Sequence, residues 1–84
     1  MSKEINKDSI GYRLARIRFE LGLNAKEYAN ILGIAQSSIG RYEKNERTPD
    51  YELLSKLVNN LGVNSEYIFA KSEIIFTKDL KESK

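Results

Sequence analysis

Cysteine and histidine are both absent from this 84-residue chain. Without cysteine there is no disulfide staple, no thiolate metal site and no thiol nucleophile. Without histidine the usual general base near neutral pH and the commonest zinc ligand are missing. Catalysis would have to be built from Asp, Glu, Lys, Tyr or Ser, and no nucleophile–base pair or metal set stands out, so no enzyme, metal or cofactor is expected. Long apolar runs are missing too. None approaches the ~20 residues of a membrane span, and Met1-Ser2-Lys3-Glu4-Ile5-Asn6-Lys7-Asp8 lacks the apolar stretch of a secretory signal. The expectation is a soluble cytoplasmic protein with no membrane partner. The length allows one domain and no second core. A domain this small buries only about 60% of the surface its unfolded chain exposes, so a partner subunit would add useful buried area.

What the chain does have is an uneven charge. The formal net charge is +2, but residues 1–47 carry nine basic and six acidic side chains, whereas residues 48–84 carry five lysines and six acidic side chains. All five arginines lie in the first part. The arginine fork suits phosphate and guanine edges, so this segregation points to an anionic partner.

Helical periodicity organises residues 9–70. Ile10, Leu14, Ile17 and Leu21 share one face of a first helix, with Asp8 or Ser9 as its cap and Gly22 as its stop. Asn24 caps a second helix over residues 25–32, closed by Gly33. A third runs over residues 36–44, and Lys44-Asn45-Glu46-Arg47-Thr48 reads as a loop in which Asn45 takes the left-handed position. After the single proline, Pro49, Asp50 caps a fourth helix with Tyr51, Leu54, Leu57, Val58 and Leu61 on its apolar face. Asn64 caps a short fifth helix through Phe69. Residues 1–8 read as an N-terminal extension and residues 71–84 as a C-terminal segment. Within that segment Ile74-Ile75-Phe76-Thr77 is β-prone and suggests a short strand, and Lys78 onward reads as disordered. The fold class is therefore all-α, five helices around one core.

The informative stretch is residues 24–43. Two short helices that meet at a large angle through a tight turn need a small residue at the crossing, which Ala29 supplies. They need a positive φ in the turn, which Gly33 adopts without steric cost. They also need apolar residues in the corner, and Leu32, Ile34, Ile39 and Tyr42 have the spacing. On the third helix Ile39, Tyr42 and Ser38 turn inward, leaving Gln36, Ser37, Gly40, Arg41 and Lys44 facing out. That outer face holds an amide, a hydroxyl, a guanidinium and an ammonium, with no carboxylate. Gln bonds adenine bidentately, Arg bonds guanine and Ser serves either base, so Gln36, Ser37 and Arg41 are the expected base-contacting residues. Tyr12, Tyr28, Tyr42, Tyr51 and Tyr67 read as core or rim aromatics.

These residues resemble the Cro and phage-repressor (xenobiotic-response-element type, lambda repressor-like) helix-turn-helix family over about residues 10–69. The likeness rests on Arg18 before Leu21-Gly22-Leu23-Asn24, on Tyr28-Ala29, Leu32-Gly33-Ile34 and Ser38-Ile39, and on Arg41-Tyr42-Glu43. Arg47-Thr48-Pro49 and Leu61-Gly62-Val63 complete it. The resemblance implies a compact five-helix domain, usually dimeric, whose third helix enters the DNA major groove and whose members regulate transcription without enzymatic activity. It further implies phosphate contacts from Asn24, Lys26, Ser38, Lys44, Asn45 and Arg47, and an ion pair between Arg18 and Glu43. Two positions depart from the pattern. Ala25 replaces a glutamine that helps hold a phosphate, and Ala35 replaces the Ser or Thr that usually caps the third helix.

A homodimer on a palindromic operator needs a two-fold surface, and the candidates are Val63, Tyr67, Ile68, Phe69, Ile74, Ile75 and Phe76. The last three either pair with a second copy or pack back on the fifth helix. The leading expectation is a sequence-specific repressor acting on double-stranded DNA. The competing readings are an antitoxin or restriction-modification controller that also grips a protein (a toxin, for the antitoxin), and an interaction module that has lost DNA binding.

Overall fold

A computed structural model describes residues 9–80 of the chain. Five α-helices follow in order: α1 (Ile10–Leu21), α2 (Ala25–Leu32), α3 (Gln36–Glu43), α4 (Tyr51–Leu61) and α5 (Ser65–Ile68). A single 3-10 turn, Thr77–Asp79, lies near the end. The N-terminal extension and residues 81–84 lie outside the described residues.

Local chemistry accounts for the helix starts. The first amides of a helix have no intrahelical acceptor, so a side-chain oxygen must serve them. Ser9 Oγ accepts from the Tyr12 amide at 3.1 Å, Asp50 Oδ1 from Leu53 at 3.0 Å and Asn64 Oδ1 from Glu66 at 3.2 Å. Ahead of α2 the exchange is reciprocal: Asn24 Oδ1 accepts from the Glu27 amide at 2.8 Å while Glu27 Oε1 accepts from the Asn24 amide at 2.9 Å. Only α3 starts without a side-chain cap, because Ala35 has no oxygen to offer.

The core is formed by Leu14 and Ile17 of α1, Tyr28, Ala29 and Leu32 of α2, Ile39 and Tyr42 of α3, Leu53 and Leu57 of α4, and Val63, Tyr67 and Ile68. The apolar face of α4 is thus centred on Leu53 and Leu57, and Tyr51 projects into solvent rather than lying on it. Helices α1 and α3 meet with almost no space between their backbones. A Cβ on Gly11 would fall 2.6 Å from the Glu43 carbonyl oxygen and 2.7 Å from both the Tyr42 carbonyl oxygen and Asn45 Oδ1. Any larger residue there would push the two helices apart.

Three expectations for the C-terminal half are corrected. Val63, Tyr67 and Ile68 are 0%, 4% and 2% exposed. They belong to the chain's own core rather than to its surface, as the two apolar side chains of a four-residue helix must to keep it docked. Residues 72–77 form no strand. They run back along Gly62, Val63 and Asn64 as a strap, with the Asn64 amide donating to the Ile75 carbonyl at 2.7 Å, Asn64 Nδ2 to the Ile74 carbonyl at 2.9 Å and the Thr77 amide to the Gly62 carbonyl at 2.9 Å. Only one antiparallel bridge forms, between Val63 and Phe76. Of the two courses open to this segment it packs back: Ile75 and Phe76 lie half-buried against the core. The start of the expected disordered tail instead forms the 3-10 turn Thr77–Asp79, and the rest of that tail, residues 81–84, lies outside the described residues.

Arg13 ties this strap to α1. Its buried guanidinium donates from Nη1 to the carbonyls of Tyr67 at 2.9 Å and Ser72 at 3.1 Å, and from Nη2 to Glu73 Oε2 at 3.1 Å. The same group lies over the Tyr67 ring, 4.5 Å from its centroid.

Candidate nucleic-acid interface

The α2–turn–α3 unit is built from the residues that the sequence singles out. Gly33 holds φ 70° at the end of α2, and the Ile34 amide reaches back to the Ala29 carbonyl at 3.0 Å, so the chain reverses within two residues. Lys56 on α4 donates from Nζ to the Leu32 carbonyl at 3.0 Å, placing a cation on the negative end of α2. Ala29, Leu32, Ile39 and Tyr42 are all buried. The two helices are thereby fixed as one body.

A bidentate ion pair fixes the other side. Arg18 donates from Nε to Glu43 Oε2 at 2.8 Å and from Nη2 to Glu43 Oε1 at 3.0 Å, and from Nη1 to the Leu23 carbonyl at 3.2 Å. The hydrogen bonds that it donates to Glu43 hold the guanidinium above its ordinary pKa, against the opposing effect of burial. The pair joins α1, the α1–α2 loop and the last residue of α3. Beyond it Asn45 adopts a left-handed φ of 62° and its Oδ1 accepts from the Gly11 amide at 2.9 Å, serving another first-turn donor of α1. The C-terminal end of α3 is thus anchored from behind, while its N-terminal end follows from the turn at Gly33.

The front of α3 is left clear. Gln36, Ser37, Arg41 and Lys44 are exposed, and among the described residues none of their side chains makes a hydrogen bond or ion pair with the rest of the chain. Gly40 lies between them, half-exposed. This face therefore offers donors and acceptors in both signs of hydrogen bonding, carries net positive charge and has no carboxylate.

The residues expected around its rim divide. Lys26 and Lys44 project into solvent, as do Asn24, Asn45 and Arg47. Three of these five have internal duties as well. The oxygens of Asn24 and Asn45 are taken by backbone amides, so only their NH2 groups point outward to donate. Arg47 lies over the Tyr42 ring at 5.3 Å and donates from Nη1 to Ser38 Oγ at 3.2 Å. Ser38 is half-buried and acts first as a rest for Arg47. Sequence reasoning missed that support, and it missed Gly11 and Arg13 altogether. Arg13 was findable: it falls three residues after Ile10 and one before Leu14, on the stripe that faces the core. Gly11 gave no local signal, since its constraint comes from residues more than thirty positions away.

Among the described residues no group of three acidic side chains could hold a metal ion, and no helix is long and apolar enough to cross a membrane. Of the seven residues expected at a dimer surface, Phe69 (55% exposed) and Ile74 (39%) are the ones left turned outward.

Comparison with known proteins agrees with this geometry. The helix-turn-helix family model matches residues 13–68. The chain is 36% identical over 66 residues to the HTH-type transcriptional regulator ImmR of Bacillus subtilis, covering 79% of this chain and 52% of that protein. It is 33% identical over 69 residues to the SPbeta prophage-derived HTH-type transcriptional regulator YonR of the same organism, covering 82% and 64%. Identity to the cryptic phage CTXphi transcriptional repressor RstR of Vibrio cholerae is 30% over 69 residues, covering 82% and 62%. The chain thus spans between half and two thirds of the length of these relatives. Among solved structures, the P22 c2 repressor protein in complex with a synthetic operator shares the fold, with a TM-score of 0.68 over 76% of this chain and 97% of that one at 22% identity. The turn at Gly33, the buried corner and the matched span together establish that the chain belongs to the helix-turn-helix family, of the Cro and phage-repressor type.

Proposed function

We propose that this chain binds double-stranded DNA sequence-specifically and represses transcription, laying α3 in the major groove. The observation that carries the reading is the outward face of α3: Gln36, Ser37 and Arg41 are exposed, held on a helix packed into the corner and tied at its C-terminal end, and among the described residues they are paired with nothing. A helix fits the major groove, where glutamine, serine and arginine can distinguish base pairs by their donor and acceptor pattern. Lys26, Lys44 and Arg47, with the NH2 groups of Asn24 and Asn45, would meet the flanking phosphates and set register without reading sequence. The names of the relatives, transcriptional regulators and a repressor, support the same role, and a protein acting on an operator would work in the cytoplasm.

The operator on this reading is palindromic and the protein a homodimer, its recognition helices about 34 Å apart. Phe69 and Ile74 are the apolar residues that a two-fold partner would cover. Exchange of a C-terminal strand, as an antitoxin-like assembly would use, is disfavoured because residues 74–76 are already engaged with Val63 and Asn64 of their own chain.

Selection of bound duplexes from a random pool tests the proposal. A palindromic consensus is expected, together with affinity that falls steeply with salt as counterions leave the phosphates. No enrichment, or a flat salt response, would move the chain to the class of interaction modules. Sedimentation as a monomer at high micromolar concentration would remove the homodimer.

A further inference from the structure

The chain has five glycines, and four are required by the fold itself. Gly22, Gly33 and Gly62 hold left-handed helix ends at φ 71°, 70° and 68°. Gly11 sits where a Cβ would collide with backbone. Gly40 differs from all of these. It lies inside α3 with no positive φ, and a Cβ built on it meets nothing within 4 Å. Alanine at a helix-interior position is favoured over glycine by roughly fivefold in helix formation. Among the described residues nothing therefore accounts for glycine here. Its surroundings supply a different reason. Gln36 and Lys44 are four residues away on either side and Ser37 three, so these three share a face with Gly40, and Arg41 stands about a quarter-turn round the helix; Gly40 is a bare position within the polar face.

We propose that Gly40 is a specificity-determining residue: a gap in the side-chain layer of α3 through which the helix backbone seats against the wall of the major groove. The inference rests on the reading of α3 as the DNA-contacting helix. A Cβ would extend one bond length, about 1.5 Å, toward the groove. Hydrogen bonds to base edges form at donor–acceptor distances of roughly 2.7–3.2 Å, so a displacement of that size breaks them. Each bidentate base contact discriminates by roughly five- to 150-fold. Contacts to phosphate from long lysine and arginine side chains tolerate the same displacement by a change of rotamer. Glycine at position 40 thus sets the depth at which Gln36, Ser37 and Arg41 reach base edges, and leaves sequence-independent binding nearly untouched.

The test uses the full chain and the duplex that the unmodified protein selects from a random pool, beside a duplex of unrelated sequence. Gly40→Ala is expected to raise the melting temperature by about 4–8 °C, the shift that the better helix former gives in a domain of this size. Affinity for the selected duplex should fall by about tenfold or more, and further for Gly40→Leu, while affinity for the unrelated duplex stays within about threefold. A Gly40→Ala protein that binds the selected duplex within twofold of the parent overturns the inference. So does an equal loss on both duplexes, or a lower melting temperature, since glycine would then be required by something other than seating. Failure of the unmodified protein to select any duplex is a separate outcome, and it removes the DNA-binding reading together with this one.

Discussion

Residues 62–80 and residues 36–47 handle their polar groups in opposite ways. In the C-terminal strap the side chains of Asn64 and Thr77 bond to carbonyls of the chain itself, Ser72 Oγ accepts from the Ile74 amide, and Arg13 reaches in from α1 to clamp two carbonyls and a carboxylate. On α3, only groups at the back and the end are bonded internally, and four polar side chains face outward with no partner among the described residues. The contrast separates scaffold from candidate interface. Where the fold satisfies its own donors and acceptors, substitutions should be felt as stability, and where it leaves them open they should be felt as binding.

The largest effect should come from Arg13. Arg13→Ala leaves the Tyr67 and Ser72 carbonyls without their buried cationic donor and should cost about 3 kcal/mol in denaturant unfolding. A loss below about 0.5 kcal/mol, the range of ordinary surface substitutions, would show that the strap does not depend on this clamp. Glu43→Ala removes the bidentate partner of a half-buried Arg18 and should cost about 2 kcal/mol, read as a lower melting temperature. An unchanged melting temperature would count against the pair as a tie between α1 and α3. Arg41→Ala should do the reverse: stability within about 0.5 kcal/mol of the parent, with about 1–3 kcal/mol lost from binding to a selected duplex. If its melting temperature fell instead, the outer face of α3 would belong to the scaffold.

The smallest effect is a pH dependence of the core, to which both regions are attached. Burial raises the Tyr28 phenol well above its ordinary pKa, and it raises Tyr67 in the same direction. A tyrosine whose folded pKa is raised contributes stability while it is protonated, and loses it as pH climbs from the unfolded value toward the folded one. The unfolded phenol ionises near pH 10. The melting temperature should therefore fall from about pH 10 upward, and less steeply in Tyr28→Phe once its own starting stability is allowed for. A melting curve that ignores pH above 10 would show that neither ring is held in a dry site.

Much of the fold was legible because it is written in local chemistry. Ser9, Asn24, Asp50 and Asn64 each cap a helix within one turn of themselves, and Gly22, Gly33 and Gly62 end helices by their own conformation. The corner residues of the helix-turn-helix are equally local. What escaped depends on distant partners. Val63, Tyr67 and Ile68 look like surplus apolar surface until the strap and α1 are seen to enclose them. Ser38 looks like an outward hydroxyl until Arg47 folds over Tyr42 and rests on it. The candidate contact face itself was read from period and residue type, since a face with no internal bonds has nothing further for the fold to reveal.

Because the outward side chains of α3 have no role in holding the domain together, they can be exchanged as a set. Replacing Gln36, Ser37, Arg41 and Lys44 leaves the caps, the corner and the clamp untouched. A lineage carrying this scaffold could change what that face presents by a few substitutions without disturbing the fold, and the same property makes it a convenient chassis for redesign in the laboratory.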